Sequence, residues 1–132
     1  MRFQPHLPSC LRHTRVMVLL TLLAGGAAGA QGIAEQGFRT MASATGGNCV
    51  ACHGLPGQAG VRSTFGPALD TVGTRYSPDA LRQWVVDARQ IKPDTLMPPF
   101  GTTQGTHGPI RAQAMLSPQE IDDVVAALQT LR

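Results

Sequence analysis

The sequence predicts an all-α domain in which three main helices close around one covalently attached group. Three observations carry that expectation. Two segments, 77–89 and 117–131, open on Ser-Pro and repeat apolar residues at i, i+3, i+4 and i+7, the pattern of capped amphipathic helices. No stretch alternates apolar and polar residues as a half-buried strand would. Ahead of both segments lies Cys49-Val50-Ala51-Cys52-His53, two thiols three positions apart followed at once by an imidazole.

Residues 1–30 stand outside that domain. Arg2, Arg12 and Arg15 form a basic start, Val16 to Leu23 an apolar run, and Ala28-Gly29-Ala30 a small-x-small cleavage site, together a secretory signal peptide that is removed. The apolar run falls short of the roughly 20 residues a bilayer span takes. Cleavage after Ala30 therefore fits better than an uncleaved anchor, and it leaves residues 31–132 as one exported domain without a membrane anchor. The chain carries 11 Lys+Arg against 8 Asp+Glu, a formal net charge of +3. The three leader arginines account for that excess. The remaining chain is neutral, so the basic pI gives no reason to expect a nucleic-acid partner.

The first helix is expected over Ile33 to about Ala44, with Ile33, Phe38, Met41 and Ala42 at loosely helical spacing and Gly46-Gly47 ending it. Gly37 would let another helix approach closely, although a lone glycine also weakens a helix.

The thiol pair and histidine that follow read as the attachment sequence for c-type haem. Two thiols on one turn can each add to one vinyl group of the macrocycle, and the next side chain, His53, is carried beneath it to offer the iron a nitrogen. Two other chemistries use similar residues. A dithiol redox centre sits in a βαβ pattern, and none appears. A structural zinc site needs four ligands, whereas past residue 48 the chain offers only Cys49, Cys52, His53 and His107 without partner spacing. Cys10 leaves with the leader. An exported compartment would join the remaining pair as a disulfide, so attachment implies a maturation apparatus that keeps both thiols reduced. A chain this short buries only about 60–65% of its unfolded surface, and its aromatic side chains are few. The macrocycle is expected to supply much of the core, leaving the apo form poorly folded.

Residues 54–76 are rich in Gly, Pro, Ser and Thr and show no sustained period, so they read as a loop along one edge of the haem. Its apolar cluster is Phe65-Gly66-Pro67-Ala68-Leu69. Either a carbonyl here accepts the Nδ1–H of His53 and fixes the ring plane, or the segment is an ordinary turn with two core anchors. Ser77-Pro78-Asp79 then starts the second helix, with N-cap, N1 proline and an acidic first turn. Leu81, Trp84, Val85 and Ala88 give it one apolar face as far as Arg89. Trp84 reads as core against the haem edge, ahead of a direct role in electron transfer.

Residues 90–116 are expected to be irregular. Met97 is the foremost second ligand, a thioether in a segment stiffened by Pro93, Pro98 and Pro99. Its plainer role is a gap-filling core methionine. Met41, Met115, His107 and an open iron face are the alternatives. Ser117-Pro118-Gln119-Glu120 carries the capping-box pattern for the last helix, and Ile121, Val124, Val125, Leu128 and Leu131 form its stripe. Asp122 and Asp123 suit the helix dipole and read as a solvated face.

This order of elements resembles a small class I cytochrome c, with a closer likeness to the SoxX family. Those are the monohaem subunits of SoxAX cytochromes in bacterial sulfur oxidation. The likeness rests on Gly47-Asn48-Cys49-Val50-Ala51-Cys52-His53 and on residues 65–77, 81–88 and 93–100, and covers about residues 46–131. The resemblance implies that Cys49 and Cys52 carry one haem c, that His53 and Met97 ligate its iron, and that Pro67 supplies the carbonyl to His53. Phe65 and Trp84 would line the haem. It further implies a periplasmic subunit, not catalytic on its own, in a complex whose SoxA-like haem-bearing partner joins thiosulfate to a cysteine of a sulfur-carrier protein. This chain would take the electrons and pass them to a mobile cytochrome c. Residues 101–114 match nothing in that family. A free respiratory carrier, expected to show a charged docking ring, and a haem enzyme or gas sensor with an open distal face are the competing functions.

Overall fold

The polypeptide is built on its C-terminal helix. In a computed structural model, residues 31–56, 65–103 and 113–132 are described, together with Met1. The expected leader, Cys10, and His107 lie outside the described residues. The helices are α1 (Ala34–Ala42), α2 (Val72–Arg75), α3 (Pro78–Asp87) and α4 (Pro118–Thr130), with 3-10 turns at Cys49–Ala51 and Ala88–Gln90. No strand occurs among the described residues.

α4 packs against α1, α2 and α3. It starts where its capping box predicts: the Ser117 side chain accepts from the Glu120 N–H at 3.3 Å, and the Glu120 carboxylate accepts from the Ser117 N–H at 2.8 Å. Ile121, Val124, Val125 and Leu128 are all buried, as the stripe requires. Each such side chain contributes about 1.5–3 kcal/mol by leaving water. They meet Met41 from α1, Leu81 and Val85 from α3, and Phe100 and Leu116 from the connecting segments.

α1 crosses α4 at Gly37, where an added Cβ would run into the Asp123 backbone and the Ala127 side chain. Only hydrogen permits that approach. Asp123 itself corrects the expectation of a solvated face. It is buried, and its Oδ1 accepts from the Ile33 N–H at 2.7 Å and from Gln119 Nε2 at 2.9 Å. Ile33 is the N-cap of α1 and has no side chain to cap with, so a carboxylate from another helix satisfies that orphan donor. Asp122 pairs with Arg82 and ties α4 to α3.

Two other differences concern element ends. Within the expected loop 54–76 the structure forms the single turn of α2, too short to show a period. Val72 is buried, and the Gly73 N–H donates to the Leu131 carbonyl at 2.9 Å. The second helix stops at Asp87 rather than Arg89, because the Asp87 carboxylate accepts from the Arg89 N–H and nucleates a 3-10 turn.

Candidate functional site

The Cys-x-x-Cys-His segment is delivered by the end of α1. Gly47 N–H donates to the Thr40 carbonyl at 3.0 Å and Asn48 N–H to the Ser43 carbonyl at 3.0 Å. Asn48 takes a left-handed conformation, φ 45° and ψ 37°, which asparagine tolerates better than most residues. The chain then winds into one 3-10 turn: the amides of Cys52 and His53 both donate to the Cys49 carbonyl, at 3.0 and 2.9 Å. Both thiols and the imidazole thus leave a single turn.

The segment 65–69 is stapled alongside. Gly66 N–H donates to the Cys52 carbonyl at 2.9 Å, and Leu69 N–H to the Gly54 carbonyl at 3.0 Å. Between these two bonds, His53 Nδ1 donates to the Pro67 carbonyl at 2.7 Å. A carbonyl can only accept, so Nδ1 carries the proton and Nε2 is left out of this bond. Gly66 packs closely on the ring: a Cβ there would stand 2.5 Å from His53 Cε1. Sequence reasoning did not single out Gly66, and only its place before Pro67 hinted at a tight turn.

These groups open onto a cavity of about 790 Å³ whose walls include Cys49, Cys52, His53, Pro67, Trp84 and Met97, within the roughly 300–1,000 Å³ common for cofactor sites. Phe65 lies at its rim, 76% exposed, while Met41 and Met115 also reach its wall. Met41 is fully buried between helices. Met115 immediately precedes the buried Leu116 and the α4 cap. Met97 is half-buried, and its N–H donates to Thr95 Oγ1 at 3.2 Å, a support that no pattern in the sequence pointed to. Its segment returns to α3 through Phe100 and Gly101, whose amides donate to the Val85 and Val86 carbonyls at 3.3 and 3.0 Å.

Burial pushes the Cys49 thiol up to about 11, with Cys52 adding to the shift and the residue's own backbone hydrogen bond opposing it. Cys52 is exposed. Among the described residues no three His, Cys, Asp or Glu side chains gather to hold a bare metal ion. An iron carried by a macrocycle asks less of the protein: two thiols for the ring edge, one lone-pair nitrogen below it, and an apolar slot. The residues present fit that group.

The cytochrome c family model matches residues 34–132. Among solved structures, the crystal structure of SoxXA from P. pantotrophus contains a similar chain, 36% identical, with 78% of this chain and 84% of that one covered and a TM-score of 0.70. No curated protein sequence matches this one. Among the described residues no helix is long and apolar enough to cross a membrane.

Proposed function

The chain belongs to the cytochrome c family, and from that premise we propose that it is a SoxX-like electron-transfer subunit of a periplasmic thiosulfate-oxidising complex. Its electrons would come from a SoxA-like haem-bearing partner and leave to a mobile cytochrome c. The observation that carries the redox part is the contact of His53 Nδ1 with the Pro67 carbonyl. Held through Nδ1 by Pro67 at 2.7 Å, the ring keeps Nε2 free of that bond, and His53 lines the cavity that the two motif cysteines share. The likeness to SoxXA over most of the chain supports the assignment to such a complex.

When bound, haem c would supply a one-electron iron couple, and ligation by His53 and Met97 would raise its potential. The protein does the rest. Cys49 and Cys52 would hold the ring edge through thioether bonds. His53 is oriented by Pro67 and sterically backed by Gly66. Met97 would provide a second, thioether ligand from a segment pinned to α3, and Trp84 would cover part of the ring, with Phe65 at the cavity rim. A removed leader of residues 1–30, with its basic start and small-residue cleavage site, accounts for delivery to the periplasm.

Purification of the tagged protein from a periplasmic extract tests the proposal. A larger c-type cytochrome should accompany it in equal amount. Its absence would refute the complex and leave a free-standing respiratory carrier as the function. Rapid, tight binding of cyanide or carbon monoxide to the resting protein would instead indicate an open distal face and remove Met97 from the iron.

A further inference from the structure

The segment that carries Met97 departs from the last turn of α3 and returns to it, and one buried carboxylate shapes the point of departure. Asp87 is 6% exposed. Its Oδ1 accepts from the Arg89 N–H at 3.2 Å and from Arg89 Nε at 2.7 Å, while its Oδ2 accepts from Arg89 Nη2 at 2.9 Å and from Gln90 Nε2 at 3.4 Å. The side-chain bonds to Arg89 are a charge-assisted fork, which fixes direction as well as distance. All four bonds stay within three residues of Asp87. Through them the carboxylate joins no distant elements; it defines a corner.

From that corner a relay of hydrogen bonds runs to the methionine. The Ala88 carbonyl accepts from the Ile91 and Lys92 amides at 3.1 and 2.9 Å, and the Lys92 carbonyl accepts from the Thr95 amide at 3.0 Å. Thr95 Oγ1 then accepts from the Met97 amide at 3.2 Å. At the far end, the Phe100 and Gly101 amides close the path on the Val85 and Val86 carbonyls. A methionine side chain has three rotatable bonds and little shape of its own, so its sulfur stays in place only as well as its backbone does.

We propose that Asp87, gripped by Arg89, is a positioning residue for Met97: it sets where the thioether stands by fixing the corner from which its segment leaves α3. This rests on Met97 being the iron ligand, and the test separates the two ideas. The ferric holoprotein is titrated with imidazole for the wild type, Asp87→Asn, Arg89→Gln, Met97→Ala and, as a control, Asp122→Asn, which breaks the Arg82 pair elsewhere on α3. The far-red methionine-to-iron charge-transfer band is followed in parallel.

Met97→Ala should lose the band and bind imidazole far more tightly. Asp87→Asn and Arg89→Gln should weaken the band and bind imidazole about tenfold more tightly, as when the displaced state becomes tenfold more populated. Asp122→Asn should match the wild type in both. If Met97→Ala opens the iron while Asp87→Asn and Arg89→Gln bind imidazole like the wild type, melting merely at lower temperature, the pair is structural only and the proposal is overturned. If Met97→Ala also binds like the wild type, the ligand assignment falls and the proposal with it. Should Asp87→Asn fail to mature, Arg89→Gln carries the decision. Arg89→Lys, which keeps the charge but loses the fork, should lie between it and the wild type.

Discussion

A single carbonyl, that of Pro67, holds Nδ1 of His53 and so leaves Nε2 as the nitrogen proposed to meet iron. It lies 14 positions from the ring it holds, a distance no local pattern spans. The motif was therefore legible as haem attachment, while the choice between an orienting carbonyl and an ordinary turn needed the folded chain. Gly66→Ala tests the tightness of that contact: with 2.5 Å between the new Cβ and the ring, the staple must shift. The expected outcome is a loss of about 1–3 kcal/mol of stability together with a displaced Soret band, measured on the purified holoprotein. Met97→Ala should keep the covalent haem yet lower its potential by on the order of 100 mV, a fraction of the roughly 0.8 V that axial ligands command. A redox titration showing no change would transfer the ligand role to another side chain. Asp123 is the residue most misread from sequence. Acidic side chains near a helix start usually face water, and nothing nearby in the chain announces that an uncapped amide of α1 lies opposite.

At the level of elements, caps and stripes were the reliable signals. α3 and α4 both begin at their Ser-Pro pairs, and the α4 box forms as written in residues 117–120. Ser117→Ala is expected to cost about 1 kcal/mol, read as a lower denaturant midpoint with unchanged slope. α2 escaped notice because four residues cannot display a period; tertiary contacts, not propensity, hold it. The end of α3 carries a pH signature. Chiefly through its side-chain hydrogen bond, Arg89 holds the Asp87 carboxyl below its ordinary value, against the upward push of burial. A carboxyl lowered by folding stabilises fully above its unfolded pKa of about 3.9. That contribution is lost as pH falls through the lower folded value. Below about pH 4, the melting temperature of the wild type should therefore fall more steeply than that of Asp87→Asn. Parallel curves would show that the pair contributes nothing to folding.

For the molecule as a whole, the all-α class and the helix order could be read from 132 residues because the sequence punctuates them so clearly. The cavity could not, since its walls come from every part of the described chain, from Met41 to Leu128. A slot of about 790 Å³ inside so small a domain means that the apoprotein lacks part of its core. Cys49→Ala/Cys52→Ala, unable to retain the pigment, should show much weaker helical circular dichroism and no cooperative melting. A sharp transition like that of the holoprotein would mean the peptide suffices alone.

The carboxylate of Asp123 on the Ile33 amide has a temporal meaning. α1 spans nine residues, too few to persist unaided in water, and among the described residues its first orphan donor is satisfied by a group 90 positions later. That cap on α1 therefore cannot form until residue 123 has been synthesised. Such a polypeptide remains threadable for as long as it is incomplete.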